Sequence, residues 1–386
     1  MMSVSHAHSQ SRRLAHAAAI ASKLVSPRRV LQVITPSHMS GAETQLCRLT
    51  RQMRARGHDM PVLVKHDSTA AAELQNRLPG VELARIGGKA NLLALASLAR
   101  AARRHDAQLL HSHLSTASWW CGWSETLGGR PSIGHVHGFT SGAWHRRQSH
   151  LLAVSSAVRD DLVARGIPAE KITVLHNAVG ADEFRPSRDP GQIRAEFGAD
   201  SKTPVVAAFG HLSEKKGYRE LFAAMPRVLA AAPDAQFWIL GEGELRAELE
   251  HASRAGGFSR HVRFAGFRRD AADVMNAIDV LALPSRREPF GLVYVEAGLL
   301  GKPVVACRAG GAVETVADGE TGLLVPVGNS RTIADAILSL LDNREFARRM
   351  GEAGRQRAQD LFSWPKCIAT LEATYDRVLS QPRSAA

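Results

Sequence analysis

The stretch Arg287-Glu288-Pro289-Phe290-Gly291-Leu292-Val293-Tyr294-Val295-Glu296 holds the residues best suited to chemistry in this 386-residue chain. Pro289 and Gly291 interrupt the strand and loop before them, so a helix is expected to begin between the two glutamates. The backbone amides of Phe290 to Val293 then form its N-terminus. Four amides at such an end have no partner within the helix, and together with the helix dipole they attract anions such as a diphosphate. On this reading Glu288 sits in the loop at the mouth and Glu296 a little over one turn inside. Both carboxylates can then face one ligand and accept hydrogen bonds from different sugar hydroxyls. Each glutamate also has a plainer reading, Glu296 as an exposed helix pair and Glu288 as a neighbour of Arg286 and Arg287.

Histidines recur at alternate positions, His111 and His113 in one segment and His135 and His137 in Gly134-His135-Val136-His137-Gly138-Phe139. Residues two apart on a strand share a face, so each pair resembles a metal-ligand doublet. No carboxylate or cysteine stands at a matching spacing, and no metal is expected. Phe209-Gly210-His211-Leu212-Ser213-Glu214-Lys215-Lys216-Gly217 places cations in a turn after a strand, where a lysine is ordinarily solvated. Ser40-Gly41-Ala42-Glu43 is a second strand-to-helix turn. There Gly41 permits close backbone approach and Glu43 suits the first turn of a helix.

These residues need rigid elements beneath them. From Arg28 onward, short β-branched runs alternate with longer amphipathic ones, the pattern of strand, crossover helix and parallel strand. Strands are expected at 30–35, 60–64, 108–111, 132–136, 151–155 and 172–176, with helices at 43–56 and 92–104. Residues 182–200 lose periodicity and gather Pro186 and Pro190, as a linker does. A second series follows, with strands at 204–209, 236–240, 262–264, 280–283 and 303–306 and helices at 218–231, 270–278 and 292–300. The expected fold is α/β with two doubly wound domains, one over 28–183 and one over 184–361. A last helix within 362–386 is expected to pack back on the first domain. Residues 1–27 read as a mobile basic leader.

The chain resembles the family 4 retaining glycosyltransferases of GT-B fold, whose two Rossmann-like domains face each other across a cleft. The resemblance rests on the two glutamates followed by Gly301-Lys302-Pro303-Val304-Val305-Ala306, Gly310-Gly311, Glu314 and Asp318-Gly319-Glu320-Thr321-Gly322. It implies that Glu288 touches the hydroxyls of the donor sugar and Glu296 the nucleotide ribose, while Phe290, Gly291 and Leu292 bring amides near sugar and phosphate. It likewise implies that Lys216 meets the diphosphate, that Gly41 approaches the donor, that His137 is the active-site histidine before a glycine, and that His113 is an acceptor-side group. His211 stands where the family has arginine, and Ser40 where it has the first glycine. The implied reaction transfers a hexose-type sugar from a UDP- or GDP-sugar to a saccharide or lipid-linked acceptor, as in polysaccharide or lipopolysaccharide synthesis. No cofactor and no protein nucleophile are implied. A sugar-nucleotide epimerase of similar fold and a non-catalytic nucleotide-sugar binder are the alternatives.

Composition bounds the rest. The formal charge is +12, yet the arginines are dispersed and not interleaved with aromatics, so nucleic acid is not expected. The charge suits an anionic donor or an anionic membrane surface, and both uses stay open. Trp119, Trp120, Trp123 and Trp144 cluster in the first half, as sugar-stacking or membrane-interface faces or as packing residues. The four cysteines are scattered without a C-x-x-C pair, which fits a reducing cytoplasm. No apolar run reaches the length of a membrane span, so the expected location is cytoplasmic, with peripheral contact at the inner membrane face as the variant.

Overall fold

The computed structural model describes residues 26–381; most of the leader read at 1–27 lies outside them. Two all-parallel sheets stand side by side. The first runs β1 (Val30–Ile34), β2 (Val62–Lys65), β3 (Val81–Ala84), β4 (Leu109–His113), β5 (Ser132–Val136), β6 (His150–Ala153) and β7 (Ile172–Val174) in sequence. Its spatial order is β3-β2-β1-β4-β5-β6-β7. The second comprises β8 (Val205–Phe209), β9 (Gln236–Leu240), β10 (Val262–Gly266), β11 (Val280–Leu283), β12 (Val304–Cys307) and β13 (Gly322–Val325). Its order is β10-β9-β8-β11-β12-β13. In each sheet the chain works outward on one side and then returns to the other. The reversal falls between β1 and β4 in the first and between β8 and β11 in the second. Loops at such reversals splay apart and open a crevice at the carboxyl ends of the strands.

Crossover helices bury both faces of the first sheet, which is why its strands read as apolar runs rather than alternations. Leu31 and Val33 face Leu98 and Trp120 of the helices Leu93–Arg104 and Ser115–Thr126. Val30, Leu109 and Ile133 face Leu371 and Tyr375 of the last helix, Trp364–Ser380. That helix belongs to the core of the first sheet although the whole second sheet precedes it in the chain. Truncating the fully buried Leu371 to alanine is worth roughly 2–5 kcal/mol.

Several segments differ from the sequence reading. Residues 182–200 are not all linker, because Pro190–Glu196 is a helix whose N-cap Asp189 accepts from the amides of Gly191 and Gln192, with proline in its first turn. The edge strand β3 and the short helix Ala71–Arg77 carry too little periodicity to stand out. Within the first sheet one seam is polar: Gln32 pairs in register with His111, and His113 with His135, all of them buried.

Candidate active site

The carboxyl ends of both sheets open onto one cleft of about 1790 Å³, lined by Gly41, His137, His211, Lys216, Glu288, Gly291, Leu292 and Glu296 among others. That exceeds the 300–1,000 Å³ usual for a single small ligand and leaves room for two reactants.

On the second-domain side, Lys216 ends a short turn after β8, and Glu288 lies in the loop after the adjacent strand β11. Neighbouring strands therefore bring the two together, and Lys216 Nζ donates to Glu288 Oε2 at 2.8 Å. Glu288 is not at the mouth as its loop position suggested; only 4% of it is exposed. The flanking arginines are spent elsewhere, Arg286 on Glu220 and Arg287 on Asp161. The Glu288 loop is held from below, because the Gly311 amide donates to Glu288 O at 2.7 Å and a Cβ at Gly310 would lie 2.1 Å from that same oxygen. A Cβ at Gly311 would likewise lie 2.4 Å from Pro289 O, and the two close approaches are the physical reason for the glycine pair.

The helix after this loop is Leu292–Leu299, beginning at the residue expected and ending one residue earlier. Its N-cap is Gly291 at φ 91°, and no side chain caps it. By contrast, the helix Gly41–Ala55 in the first domain is closed by a capping box in which Ser40 and Glu43 bond reciprocally. Ser40 thus does what the glycine of the family pattern cannot, and Glu43 is occupied by the cap. The uncapped end at Gly291 lines the cleft and keeps its amides for an anion. Phe290 contributes backbone there, since its ring is buried against His176 and Phe362.

Glu296 reaches across the cleft. Its Oε1 accepts from Arg48 Nη1 at 3.2 Å, and Arg48 also lies 3.9 Å from Glu183. Burial raises the Glu296 carboxyl above its ordinary value, with Arg48 pulling it back down. The sequence reading did not pick out Arg48. The signal was there, because Gly41, Thr44 and Arg48 fall on one helical face at i, i+3 and i+7, and all three line the cleft. His211 is half-exposed, 3.1 Å from Glu244, and stacks at 6.2 Å on His38 of the first domain.

On the first-domain side, His137 follows β5 and its Nε2 lies 2.9 Å from His113 Nδ1. Among the described residues, His111, His113 and His135 bring nitrogens within 4.8 Å of one another. Their rings stack, His111 on His113 at 4.5 Å and 29° and His111 on His135 at 5.5 Å and 14°. Nitrogens in a stack spread along it, whereas a metal needs them converging at about 2.0–2.1 Å from one point. No acidic residue joins the group to offset a buried dication. The two domains also touch beside the site, where Glu314 accepts from the amides of Ser156 (2.9 Å) and Ala157 (3.2 Å) and lies 3.0 Å from His176 Nε2.

Two parallel α/β domains whose reversal points face one another across a cleft define the GT-B architecture. The profile of the family described as Glycosyltransferase Family 4 matches residues 39–183, and that of Glycosyl transferases group 1 matches residues 190–357. The chain belongs to the family 4 glycosyltransferases. It is 32% identical over 262 residues to a GDP-mannose-dependent monoacylated alpha-(1-6)-phosphatidylinositol monomannoside mannosyltransferase of Corynebacterium glutamicum, a match covering 65% of this chain and 66% of that one. It is 34% identical over 170 residues to the lipopolysaccharide core biosynthesis glycosyltransferase LpsE of Rhizobium meliloti, covering 44% and 49%. The matched regions thus span about half to two thirds of these curated relatives. The structure of Anabaena HepE in complex with UDP and glucose superposes with a TM-score of 0.82 at 25% identity, over 91% of this chain and 100% of that one.

Proposed function

We propose that this protein is a retaining glycosyltransferase that moves a hexose-type sugar from a UDP- or GDP-sugar to a saccharide or lipid-linked acceptor. The observation that carries the proposal is the meeting of Lys216, Glu288 and the uncapped helix end at Gly291 on one wall of the cleft, opposite His137 on the other. The reading takes 28–183 as the acceptor-side domain and 184–361 as the donor domain, with the helix of 362–386 returned to the first. Relatives support it: one is GDP-mannose-dependent, and one solved neighbour holds UDP and glucose.

In this scheme the diphosphate lies on the amides of Gly291 and Leu292, with Gly41 close to the donor, Lys216 supplying positive charge and His211 a ring N–H. Glu296 takes the ribose hydroxyls in exchange for Arg48, and Glu288 takes hydroxyls of the sugar while Lys216 turns to the phosphate. The nucleoside diphosphate leaves through an oxocarbenium-like state. The acceptor hydroxyl attacks the face just vacated and passes its proton to a donor phosphate oxygen. Glu288 and Glu296 are then positioning groups for the donor rather than the acid and nucleophile of a glycosidase. His137 lies beside the reacting sugar, with His113 behind it on the acceptor side.

Among the described residues no helix is long and apolar enough to cross a membrane. A surface strip of the first domain does suit a peripheral contact at the cytoplasmic face. Leu92 is 74% and Leu93 60% exposed, three and four residues after Lys89, whose ammonium lies over Trp144. Exposed leucines close in sequence to a lysine suit an anionic lipid surface.

The first test is a thermal-shift screen of UDP-glucose, GDP-mannose and ADP-glucose on the native chain and on Glu296→Ala. A rise with one nucleotide sugar that Glu296→Ala abolishes supports the donor site. Flat traces with all three at millimolar concentration count against it. For an active donor and acceptor, the anomeric coupling in the product's NMR spectrum then decides retention.

A further inference from the structure

The polar seam in the first sheet is continuous. His137 Nε2 meets His113 Nδ1 at 2.9 Å, and His113 Nε2 meets Gln32 Oε1 at 2.7 Å. Gln32 Nε2 then meets His111 Nδ1 at 3.3 Å, and His111 Nδ1 meets the Tyr375 hydroxyl at 2.7 Å. Gln32, His111, His113 and Tyr375 have no exposed surface. The chain therefore runs from the last helix, through the sheet, to the floor of the cleft. His135 stacks on His137 at 4.1 Å but takes no part, since neither of its nitrogens has a partner.

Direction along this chain follows from what each atom can do. With Gln32 Oε1 set against it, and an amide oxygen able only to accept, His113 Nε2 carries the proton of that contact. Burial keeps the His113 and His137 rings neutral, each with a single N–H. His113 Nδ1 is then bare, and the proton in the 2.9 Å contact belongs to His137 Nε2. His137 Nδ1 has no protein partner among the described residues and is absent from the buried unpaired nitrogens, while the residue lines the cleft.

We infer that Gln32 and His113 are positioning residues which lock His137 in the Nε2–H tautomer, so that its Nδ1 offers a lone pair to a hydroxyl of the bound sugar or acceptor. The ligand half of this statement rests on the proposed transferase reading; the tautomer half does not. An acceptor at this point selects for a hydroxyl and against an ether or carbonyl oxygen in that place, which makes His137 a specificity element as well as a packing one. The determinant lies two residues back from the cleft, on a central strand that contacts no ligand.

The test begins with the native protein labelled with ¹⁵N-histidine. Long-range ¹H–¹⁵N correlations at neutral pH, assigned with His137→Gln, distinguish the two tautomers. A pyrrole-type Nε2 and pyridine-type Nδ1 at His137 are expected, and the opposite pattern overturns the inference whichever variants fold. Gln32→Met keeps the side-chain length and removes both hydrogen bonds. In that variant His137 is expected to become a tautomer mixture, and kcat with the nucleotide sugar identified by thermal shift to fall roughly 5- to 10-fold, the worth of one hydrogen bond, with donor KM little changed. An unchanged His137 spectrum in folded Gln32→Met also overturns it. If no nucleotide sugar is turned over at all, the transferase reading fails while the tautomer result stands by itself.

Discussion

Removing the Lys216 cation exposes how Glu288 is held. The Glu288 side chain is 5% exposed and Lys216 19%, and the two meet at 2.8 Å. Both neighbouring arginines are committed to other carboxylates, so Lys216→Met leaves a buried carboxylate with no cation beside it. Breaking a buried pair from one side costs about 3–5 kcal/mol. The partial exposure of the lysine places this case near 3 kcal/mol. For a domain of this size each kcal/mol moves Tm by about 2–4 °C, which gives a drop of roughly 6–12 °C. Lys216→Met/Glu288→Gln removes both charges and is expected to recover most of it, whereas turnover stays about 10²- to 10³-fold down in both variants because the cation at the leaving group is gone. Scanning fluorimetry and urea titration of the native chain, both single variants and the double variant complete a thermodynamic cycle. A single variant that melts within a degree of native, or a double variant no better than the single one, refutes the argument that the pair is held by burial.

Other expectations follow from the same geometry. Burial tends to raise the Glu314 carboxyl, but the bonds from His176, Ser156 and Ala157 win and hold it below its usual range. Its stabilisation is therefore present at neutral pH and fades as pH falls through the depressed value. Glu314→Gln should cost about 1–2 kcal/mol at pH 7 and progressively less as pH falls below the ordinary carboxylate range, by urea titration across that range. Burial pushes His111 and His137 down to about 3. The unfolded chain binds protons that these rings refuse, so stability is full above pH 6.5 and declines below it by about 1.4 kcal/mol per pH unit for each ring. His111→Gln should flatten that acid limb. In vesicle co-sedimentation, Leu92→Ser/Leu93→Ser is expected to weaken binding to anionic vesicles at least 10-fold, since each leucine inserted is worth about 1.5–3 kcal/mol. Equal binding by native and variant would remove the strip from the proposal.

The sequence showed elements whose burial leaves a continuous signature. β11 at 280–283 and the helix 218–231 have the bounds expected, because the first is an unbroken apolar run and the second repeats its apolar residues along one helical face. β3 escaped notice because an edge strand of four half-exposed residues has no such signature. Pro190 reads as a mark of linker although Asp189-Pro190 is also a helix start, and only tertiary packing of Ile193 decides between them. At the site, residue types were legible but pairings were not. Glu288 lies 72 positions from Lys216 and Glu296 lies 248 from Arg48, so each contact exists only through the strand order and the facing of the domains. Gln32 gave no sign at all, since one glutamine in an apolar strand becomes meaningful only when β4 lays His111 and His113 beside it.

The last helix, Trp364–Ser380, has a consequence for synthesis of the chain. It supplies Leu371 and Tyr375 to a sheet whose strands are finished before residue 175. As the chain emerges from the ribosome, the first domain must wait with part of one sheet face uncovered, beside Leu49 and Met53, while the whole second domain is made and folds. Val179 N bonds to Phe362 O at 3.0 Å, so the returning segment docks beside the outgoing one. Tyr375, the far end of the hydrogen-bonded chain behind His137, arrives with it. The earlier-made half of the cleft is thus the later to mature, and a chain cut short near residue 360 keeps its donor wall while the opposite wall lacks the support on which its histidines rest.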